Sequence, residues 1–387
     1  MNFELTDEQV MLRDAAAAQL SRRDGVGAAR AARDGAALPD LWPLAREAGW
    51  PGMLVPEAWG GADLQLFDAM LVLQQCGRRL DGAGLIGHLC ATQLLGRAAR
   101  RGDAAAVALL PELATGTRRA ALLAALPPAD GEGWTVDAPG TGARRIAAPR
   151  LETAGGMARV TGVAGYQPDA AGADPLVVVA VDRDGRPRAV LVTADAAGLA
   201  VEPQVRGDAS RPLGAARLEA TPGELLDAGG DDLTEAWFSA QALLAADALG
   251  VCEASLEMGV AYAKERHAFG RPIGSYQAVK HQLVEVLRHT ERARNLCYYA
   301  GYAAEHARDE LPLAASCARL AAEDGADLAT RTCIAVHGGI GATWEHAAPY
   351  FWRRAQLSRL LLGGAAGAAD RVATEMIARA RARGGGS

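Results

Sequence analysis

The sequence has few aromatic residues, 5% of 387, and only six cysteines. The cysteines are scattered, with no C-x-x-C pair and no metal-ligand spacing, so we expect free thiols in a reducing, cytoplasmic compartment and no metal site. No apolar run approaches the roughly 18–20 residues that span a bilayer, and the acidic N-terminus does not resemble a signal peptide. A formal net charge of −6 argues against nucleic-acid binding.

The remaining composition is that of a globular protein, with 50% hydrophobic and 22% charged residues. Its length is typical of two or three domains. The hydrophobic pattern predicts an N-terminal helical domain at 1–117, a small antiparallel β-barrel or sandwich at 118–228, a C-terminal four-helix bundle at 229–381 and a tail at 382–387. The predicted fold class is therefore α+β and multidomain, but mainly helical.

Local signals support these elements. Thr6 with Gln9 forms a capping-box pattern, and Gly49 marks the end of a helix. The stretch "VVVAVDRDGRPRAVLV" contains an Asp-Gly turn and predicts a β-hairpin. Four long helical patterns, each with an apolar stripe, predict the bundle: 233–265, 274–306, 312–336 and 349–380.

Two C-terminal stretches resemble motifs of the acyl-CoA dehydrogenase family, namely "ERHAFGRPIGSYQAVKH" at 265–281 and "HGGIGATWEH" at 337–346. "ELTDEQVMLRD" and "GWPGMLVPEAWGGADL" resemble the family's opening helix and an early loop. The resemblance implies the three-domain fold of that family and a flavoenzyme that removes two hydrogens from the α and β carbons of an acyl-CoA. It also implies FAD as cofactor and an electron-transfer flavoprotein as electron acceptor.

Within the family, the sequence is similar to an actinobacterial branch that degrades bulky or sterol-type side chains. Many enzymes of that branch are heteromeric, so the resemblance implies a tetramer with a homologous subunit or with further copies of this chain. The expected substrate is an acyl-CoA, and we expect no nucleic acid or membrane as a partner. The substrate's acyl group is left open by the sequence.

The resemblance also implies which residues contact the cofactor. The family's arginine before Phe-Gly binds the FAD pyrophosphate at a dimer interface, and Arg266 stands in that place. Alternatively, Arg266 complements a helix dipole, Gln277 is a solvated polar residue and His337 is structural. The residues expected to contact the cofactor are Arg266, Phe269, Gly270, Gln277, His337, Gly338 and Gly339.

The catalytic base is the main departure from the family. Where many members carry Tyr-Glu-Gly, this chain has Leu362 and Gly363. The sterol branch places its glutamate on the first bundle helix, where this chain has Asp247. We predict Asp247 as the base, with a pKa raised by burial. Its side chain is one methylene short, which places the carboxylate about 1 Å from the productive position. The alternative is an Asp247 that bonds to a neighbouring helix.

Other substitutions weaken the expected flavin site. Ala335 replaces a glutamine that contacts the adenine end of FAD, and "LLAALPPADGEGW" at 122–134 keeps little of the family's flavin loop. Tyr166 and Gln167 depart from the next loop, while Pro168 and Asp169 remain.

Two functions follow from these departures. One is an FAD-dependent acyl-CoA dehydrogenase that works as one subunit of a heteromer. The other is a degenerate subunit that completes a partner's FAD site. A third function, an oxygen-using flavoenzyme on the same fold, is supported by no feature of the sequence. Small residues on the first bundle helix leave room for a bulky acyl group or allow close helix packing: Ala245, Ala246, Ala248 and Gly250.

Overall fold

The computed structural model describes residues 4–124, 135–136, 145–154, 157–204 and 207–384. The helices in these ranges are α1 (Asp7–Ser21), α2 (Gly25–Arg33), α3 (Trp42–Glu47), α4 (Leu66–Arg79), α5 (Leu85–Arg100), α6 (Ala104–Ala114), α7 (Gly230–Glu265), α8 (Gln277–His306), α9 (Leu311–His337), α10 (Ala348–Ser358) and α11 (Gly364–Gly384). The strands are β1 (Ala121–Leu123), β2 (Thr135–Val136), β3 (Arg145–Ile146), β4 (Arg150–Ala154), β5 (Met157–Pro168), β6 (Leu176–Val181), β7 (Pro187–Val192), β8 (Leu199–Pro203), β9 (Leu213–Leu225), β10 (His267–Ala268) and β11 (Arg271–Pro272). This arrangement confirms the predicted fold class of N-terminal helices, a central β-structure and C-terminal helices.

The N-terminal helices begin and end where local signals predict. The Gln9 backbone N–H donates to the Thr6 hydroxyl at 3.3 Å, and the Gln9 side-chain oxygen accepts from the Thr6 N–H at 3.1 Å. This confirms the capping box at the start of α1. Gly49 follows α3 with a φ of 73°, a left-handed conformation that glycine adopts without strain. In the part of the chain that the structure describes, no helix is long and apolar enough to cross a membrane.

The β-domain is a barrel. The strands pair in the order β1-β6-β4-β5-β9-β7, and the additional pairing of β6 with β7 closes the ring. Most pairs are antiparallel as predicted, but β6 pairs in parallel with both β1 and β4. These two parallel pairs depart from the purely antiparallel sheet that the sequence predicts. Parallel neighbours need a long connection, and β5 lies in the chain between the strands of each pair. A buried apolar cluster fills the inside, including Val160, Val178 and Leu218.

The predicted hairpin joins β6 to β7. The carboxylate oxygen Oδ1 of Asp182 accepts the backbone N–H groups of Asp184 at 3.0 Å and Arg186 at 2.9 Å. Gly185 takes a φ of 77°, which the turn requires and which glycine permits. The Asp-Gly signal therefore identified this turn correctly.

The C-terminal bundle differs from the prediction in its last helix. The pattern at 349–380 predicts one helix, but the structure has α10 and α11 with a break between them. Leu362, Gly363 and Gly364 all have positive φ values of 48°, 83° and 56°. The periodicity continues through this break because both helices bury apolar side chains, while the paired glycines allow the backbone to leave the helical conformation.

Helices α4 and α7 approach each other closely through glycines. A Cβ at Gly250 would lie 2.0 Å from the carbonyl oxygen of Gln74, and one at Gly77 would lie 2.0 Å from that of Asp247. Ala245, Ala246 and Ala248 are buried in the same helix. The small residues at Gly250 and Gly77 therefore serve close helix packing, one of the two roles that the sequence allowed.

Candidate functional site

Asp247 lies in the middle of α7 and is fully buried. The guanidinium of Arg354, on α10, donates from Nη2 to Oδ1 and from Nε to Oδ2, the latter at 3.2 Å. The Nη2 group of Arg211, in the loop before β9, donates to Oδ2 at 3.0 Å. Both carboxylate oxygens therefore accept hydrogen bonds from positively charged groups on two other elements.

The two arginines have further partners. Arg354 donates from Nη1 to the Ser210 hydroxyl at 3.0 Å and from Nη2 to the carbonyl of Asp81 at 2.8 Å. Arg211 donates from Nη2 to the Ser358 hydroxyl at 2.9 Å, and its Nε lies 3.3 Å from the Oδ2 of Asp208. We call Asp208, Arg211, Asp247 and Arg354 the buried ion cluster; its formal charges balance.

Burial raises the pKa of Asp247, but the charges and hydrogen bonds of Arg354 and Arg211 outweigh it, so its pKa is lowered. The sequence-based expectation of a raised pKa was wrong, because it considered the apolar neighbours on α7 and not a partner from another element. Asp247 instead bonds to a neighbouring helix and to a barrel loop. The prediction that it is the base stays a prediction, and these contacts favour a structural role.

Polar side chains also hold the backbone around Leu362, the position where many family members carry a glutamate. The carbonyl of Leu362 accepts from the Gln241 amide at 3.0 Å. Arg319 donates from Nη2 to the carbonyls of Ser358 at 2.6 Å and Leu361 at 2.9 Å, so it caps the end of α10. Arg319 is fully buried and forms an ion pair with Glu323.

Residues Arg266 to Gln277 form an exposed projection between α7 and α8. Within the described residues, the guanidinium of Arg266 makes no hydrogen bond or ion pair. Its backbone N–H donates to the carbonyl of Tyr262 at 2.8 Å, and its carbonyl accepts from the N–H of Ile273 at 2.7 Å. Phe269 is 96% exposed and has a φ of 50°, followed by Gly270 with 79°, at the turn between β10 and β11. Gln277 is exposed at the first position of α8.

The His-Gly-Gly stretch lies close to this projection. The His337 ring stacks on Tyr262, in the last turn of α7, with a centroid distance of 4.3 Å. His337 is buried, and its Nδ1 lies 2.7 Å from the carbonyl oxygen of Cys333. Gly338 and Gly339 are exposed, and a Cβ at either would meet nothing within 4 Å. The structure thus brings the two predicted cofactor stretches to the same end of the bundle.

These residues fit the pyrophosphate end of FAD. An exposed arginine with a free guanidinium suits phosphate, and open glycines allow close approach of a ligand to the backbone. The structure describes the flavin side only in part. Most of the predicted flavin loop, 125–134, lies outside the described residues. Gln167 and Asp169 are buried, and Asp169 accepts the backbone N–H of Gly87 at 2.9 Å.

Arg211 and Arg354 were missed by the sequence reasoning. Arg354 lies in "YFWRRAQL", where it follows the apolar stripe of a helix, and that position was a signal that its charge needs a buried partner. Arg211, in a loop with Pro212, carried no comparable signal.

Comparisons with known proteins agree with this architecture. The N-terminal domain of acyl-CoA dehydrogenases matches residues 6–117, and the C-terminal domain matches residues 239–382. Acyl-CoA dehydrogenase IpdE2 of Mycobacterium tuberculosis is 31% identical, over 92% of this chain and 93% of that protein.

Solved structures give the same result. A variant of the Tcur3481-Tcur3483 steroid ACAD is 28% identical, with a TM-score of 0.84 over 97% of this chain and 99% of that chain. The ChsE4-ChsE5 complex from Mycobacterium tuberculosis, 22% identical over 97% of this chain and 99% of that chain, shares the fold with a TM-score of 0.82. The chain belongs to the acyl-CoA dehydrogenase family.

Proposed function

We propose that this chain is one subunit of a heteromeric, FAD-dependent acyl-CoA dehydrogenase in which the homologous partner chain supplies the catalytic base. The observation that carries the proposal is the double ion pair of Asp247 with Arg354 and Arg211. The chain's role is then to complete the cofactor site and to stabilise the assembly.

A general base must be able to reach the proton that it removes, and it needs a pKa near the operating pH. Asp247 is fully buried. Both oxygens of Asp247 already accept hydrogen bonds, and its pKa is lowered by two guanidinium groups. Leu362, at the other position used in the family, has no proton-accepting side chain. Neither position in this chain therefore suits the removal of a proton from the α carbon of an acyl-CoA.

The exposed projection is what this chain would contribute to FAD. Arg266 would bind the pyrophosphate through its fork of N–H donors, and Phe269 would pack beside the cofactor. Gly338 and Gly339 would allow its close approach to the backbone, with Gln277 as a further contact, while buried His337 would hold the glycines in place. When bound, FAD supplies the hydride acceptor for α,β-dehydrogenation.

The named relatives support the partner and the substrate class. One similar structure is called a steroid ACAD, and another is a complex of two differently named chains. We therefore propose a homologous acyl-CoA dehydrogenase subunit as the partner and a bulky, steroid-type acyl-CoA as the substrate. An electron-transfer flavoprotein would take up the electrons, and the enzyme would work in the cytoplasm.

The visible absorbance spectrum tests this proposal. The chain is purified alone and after co-expression with a homologous chain from the same genome. We expect a colourless lone chain and a yellow complex at half occupancy that an acyl-CoA bleaches. A lone chain with stoichiometric flavin that an acyl-CoA bleaches would contradict the proposal.

The variant Arg266→Gln sharpens the test, because it removes an exposed guanidinium that has no partner in the described part of the chain. We expect about 10- to 100-fold weaker FAD binding by the complex, the usual effect of losing a charge-assisted hydrogen bond. Lys264→Gln is the matched control, since Lys264 is exposed in the last turn of α7, two residues before Arg266. Equal losses in both variants would argue against the assigned role of Arg266.

A further inference from the structure

A cavity of about 190 Å³ lies between the N-terminal helices and the barrel. Its walls come from the start of α2, the segment 38–41, the turn after α4 and the loop before β9. Leu38, Leu41, Leu80 and Pro212 provide an apolar side. The charged side consists of Arg23, Asp40, Asp81 and Arg119. The cavity is separate from the projection at Arg266, which lies at the end of the bundle.

The charged side contains three buried polar atoms without a hydrogen-bond partner among the described residues: the Nε of Arg23, the Nε of Arg119 and the Oδ2 of Asp81. Asp81 is the most enclosed, with a side chain 5% exposed, and its Oδ1 lies 4.0 Å from the Nε of Arg23. Buried polar groups are rarely left without a partner, because each loses its bonds to water. Three such atoms lie at one cavity, on three different segments, and their partner must come from outside the described part of the chain.

The remaining contacts of these groups fix them in place. Arg119 lies 3.3 Å from the carboxylate of Asp40, donates to the carbonyl of Ala171 at 2.9 Å and packs over the Trp42 ring. The start of α2 comes close to Asp81, because Gly25 has no side chain to meet the carbonyl of Arg79, 2.0 Å from its Cβ position. The Arg119 guanidinium is therefore held by its own contacts, and the backbone near Asp81 by close packing against α2.

We propose that this cavity binds a small α-hydroxy carboxylic acid with an apolar side group. The carboxylate accepts the free N–H groups of Arg23 and Arg119, and the hydroxyl donates to Asp81. The apolar group packs against Leu38, Leu41 and Leu80. Burial disfavours the ionised carboxylate of Asp81 and so raises its pKa. A hydroxyl that donates to this carboxylate would stabilise its charge.

The cavity lies beside the buried ion cluster, which contacts two of its wall residues. Arg354 donates to the carbonyl of Asp81 and to the side chain of Ser210, and both residues line the cavity. A bound ligand therefore contacts residues that also hold the Arg354–Asp247 pair. This inference does not depend on the proposed function, because it uses no cofactor and no residue of the projection.

Isothermal titration calorimetry with mandelate tests the site, since mandelate has a carboxylate, an α-hydroxyl and a phenyl group. We expect saturable binding to the full chain. Phenylacetate, which lacks the hydroxyl, and methyl mandelate, which lacks the charge, should each bind about tenfold more weakly or not at all. Mandelate that binds no better than both analogues, or does not bind, would overturn the proposal and leave water as the partner of these atoms.

Two variants place the binding in the cavity. Arg23→Gln removes one of the free donors and should weaken mandelate about tenfold, while Arg22→Gln, at an exposed neighbour, should leave it unchanged. Ala28→Leu fills part of the cavity from α2 with an apolar side chain and should abolish binding. Binding that is unchanged in both Arg23→Gln and Ala28→Leu would show that mandelate binds elsewhere and would refute the site.

Discussion

Arg354 donates hydrogen bonds to both carboxylate oxygens of Asp247, from Nη2 to Oδ1 and from Nε to Oδ2. This bidentate pair joins α10 to α7, and Arg211 adds the barrel loop to the same carboxylate. One fully buried acidic side chain thus ties together the barrel and two helices of the bundle. Removal of either partner would leave a buried charge without compensation, which lowers the stability of the fold.

The variant Arg354→Gln should lower the free energy of unfolding by about 3–5 kcal/mol, since it leaves Asp247 and Asp208 with one guanidinium between them. Urea unfolding at neutral pH measures the change. Arg288→Gln is the control, because Arg288 forms an exposed pair with Glu285. It should change stability by less than about 1 kcal/mol. Equal effects of both variants would contradict the structural role of the cluster.

Gly250→Ala should destabilise the chain by about 1–3 kcal/mol or more, because the added methyl group would lie 2.0 Å from the carbonyl of Gln74. The matched control is Gly230→Ala at the start of the same helix, where a Cβ would meet nothing within 4 Å. We expect thermal unfolding to separate the two variants clearly. If both unfold at the temperature of the parent chain, the close contact of α4 with α7 is wrong.

Glu323 should make stability depend on pH. Burial raises its pKa to about 7 from an ordinary value of 4.5, although Arg319 opposes this. A carboxyl with a raised folded-state pKa contributes stability that is complete below its unfolded pKa and is lost as the pH rises through the folded value. The free energy of unfolding should therefore fall by up to about 3 kcal/mol between pH 5 and pH 8 from this group.

The comparison that isolates Glu323 is the variant Glu323→Gln, measured by urea unfolding at both pH values. The difference between the parent chain and this variant should shrink or reverse as the pH rises. Glu285→Gln, at an exposed position of α8, should follow the parent chain throughout. A constant difference between parent and Glu323→Gln would show that Glu323 does not titrate in this range.

Much of the fold could be predicted because its signals are local. The capping box at Thr6 and the Asp-Gly turn near Gly185 each depend on a few adjacent residues, and both are present as expected. The closed barrel, with its parallel pairs of β6, could not be derived in that way. Strand pairing depends on contacts between segments that are distant in the sequence.

The candidate site shows the same difference between local signals and contacts of distant residues. The periodicity of α7 correctly placed Asp247 on a buried face, but nothing near it in sequence revealed Arg211, 36 residues away, or Arg354, 107 residues away. The sign of the pKa shift depended on those two distant charges. Likewise, Leu362 fits a helical pattern. The paired glycines after it permit a break, but the contacts of Arg319 and Gln241 with the carbonyls there come from distant parts of the sequence.

The most direct test of the account is the turnover of the co-expressed complex with Asp247→Asn in this chain. Asparagine keeps the shape of the side chain, and size-exclusion chromatography confirms that the complex is assembled. We expect acyl-CoA turnover per bound flavin to stay within about threefold of the parent complex, because the base lies on the partner. Loss of a general base lowers the rate by about 10²- to 10⁴-fold, so a fall of that size would contradict the account and identify Asp247 as the base.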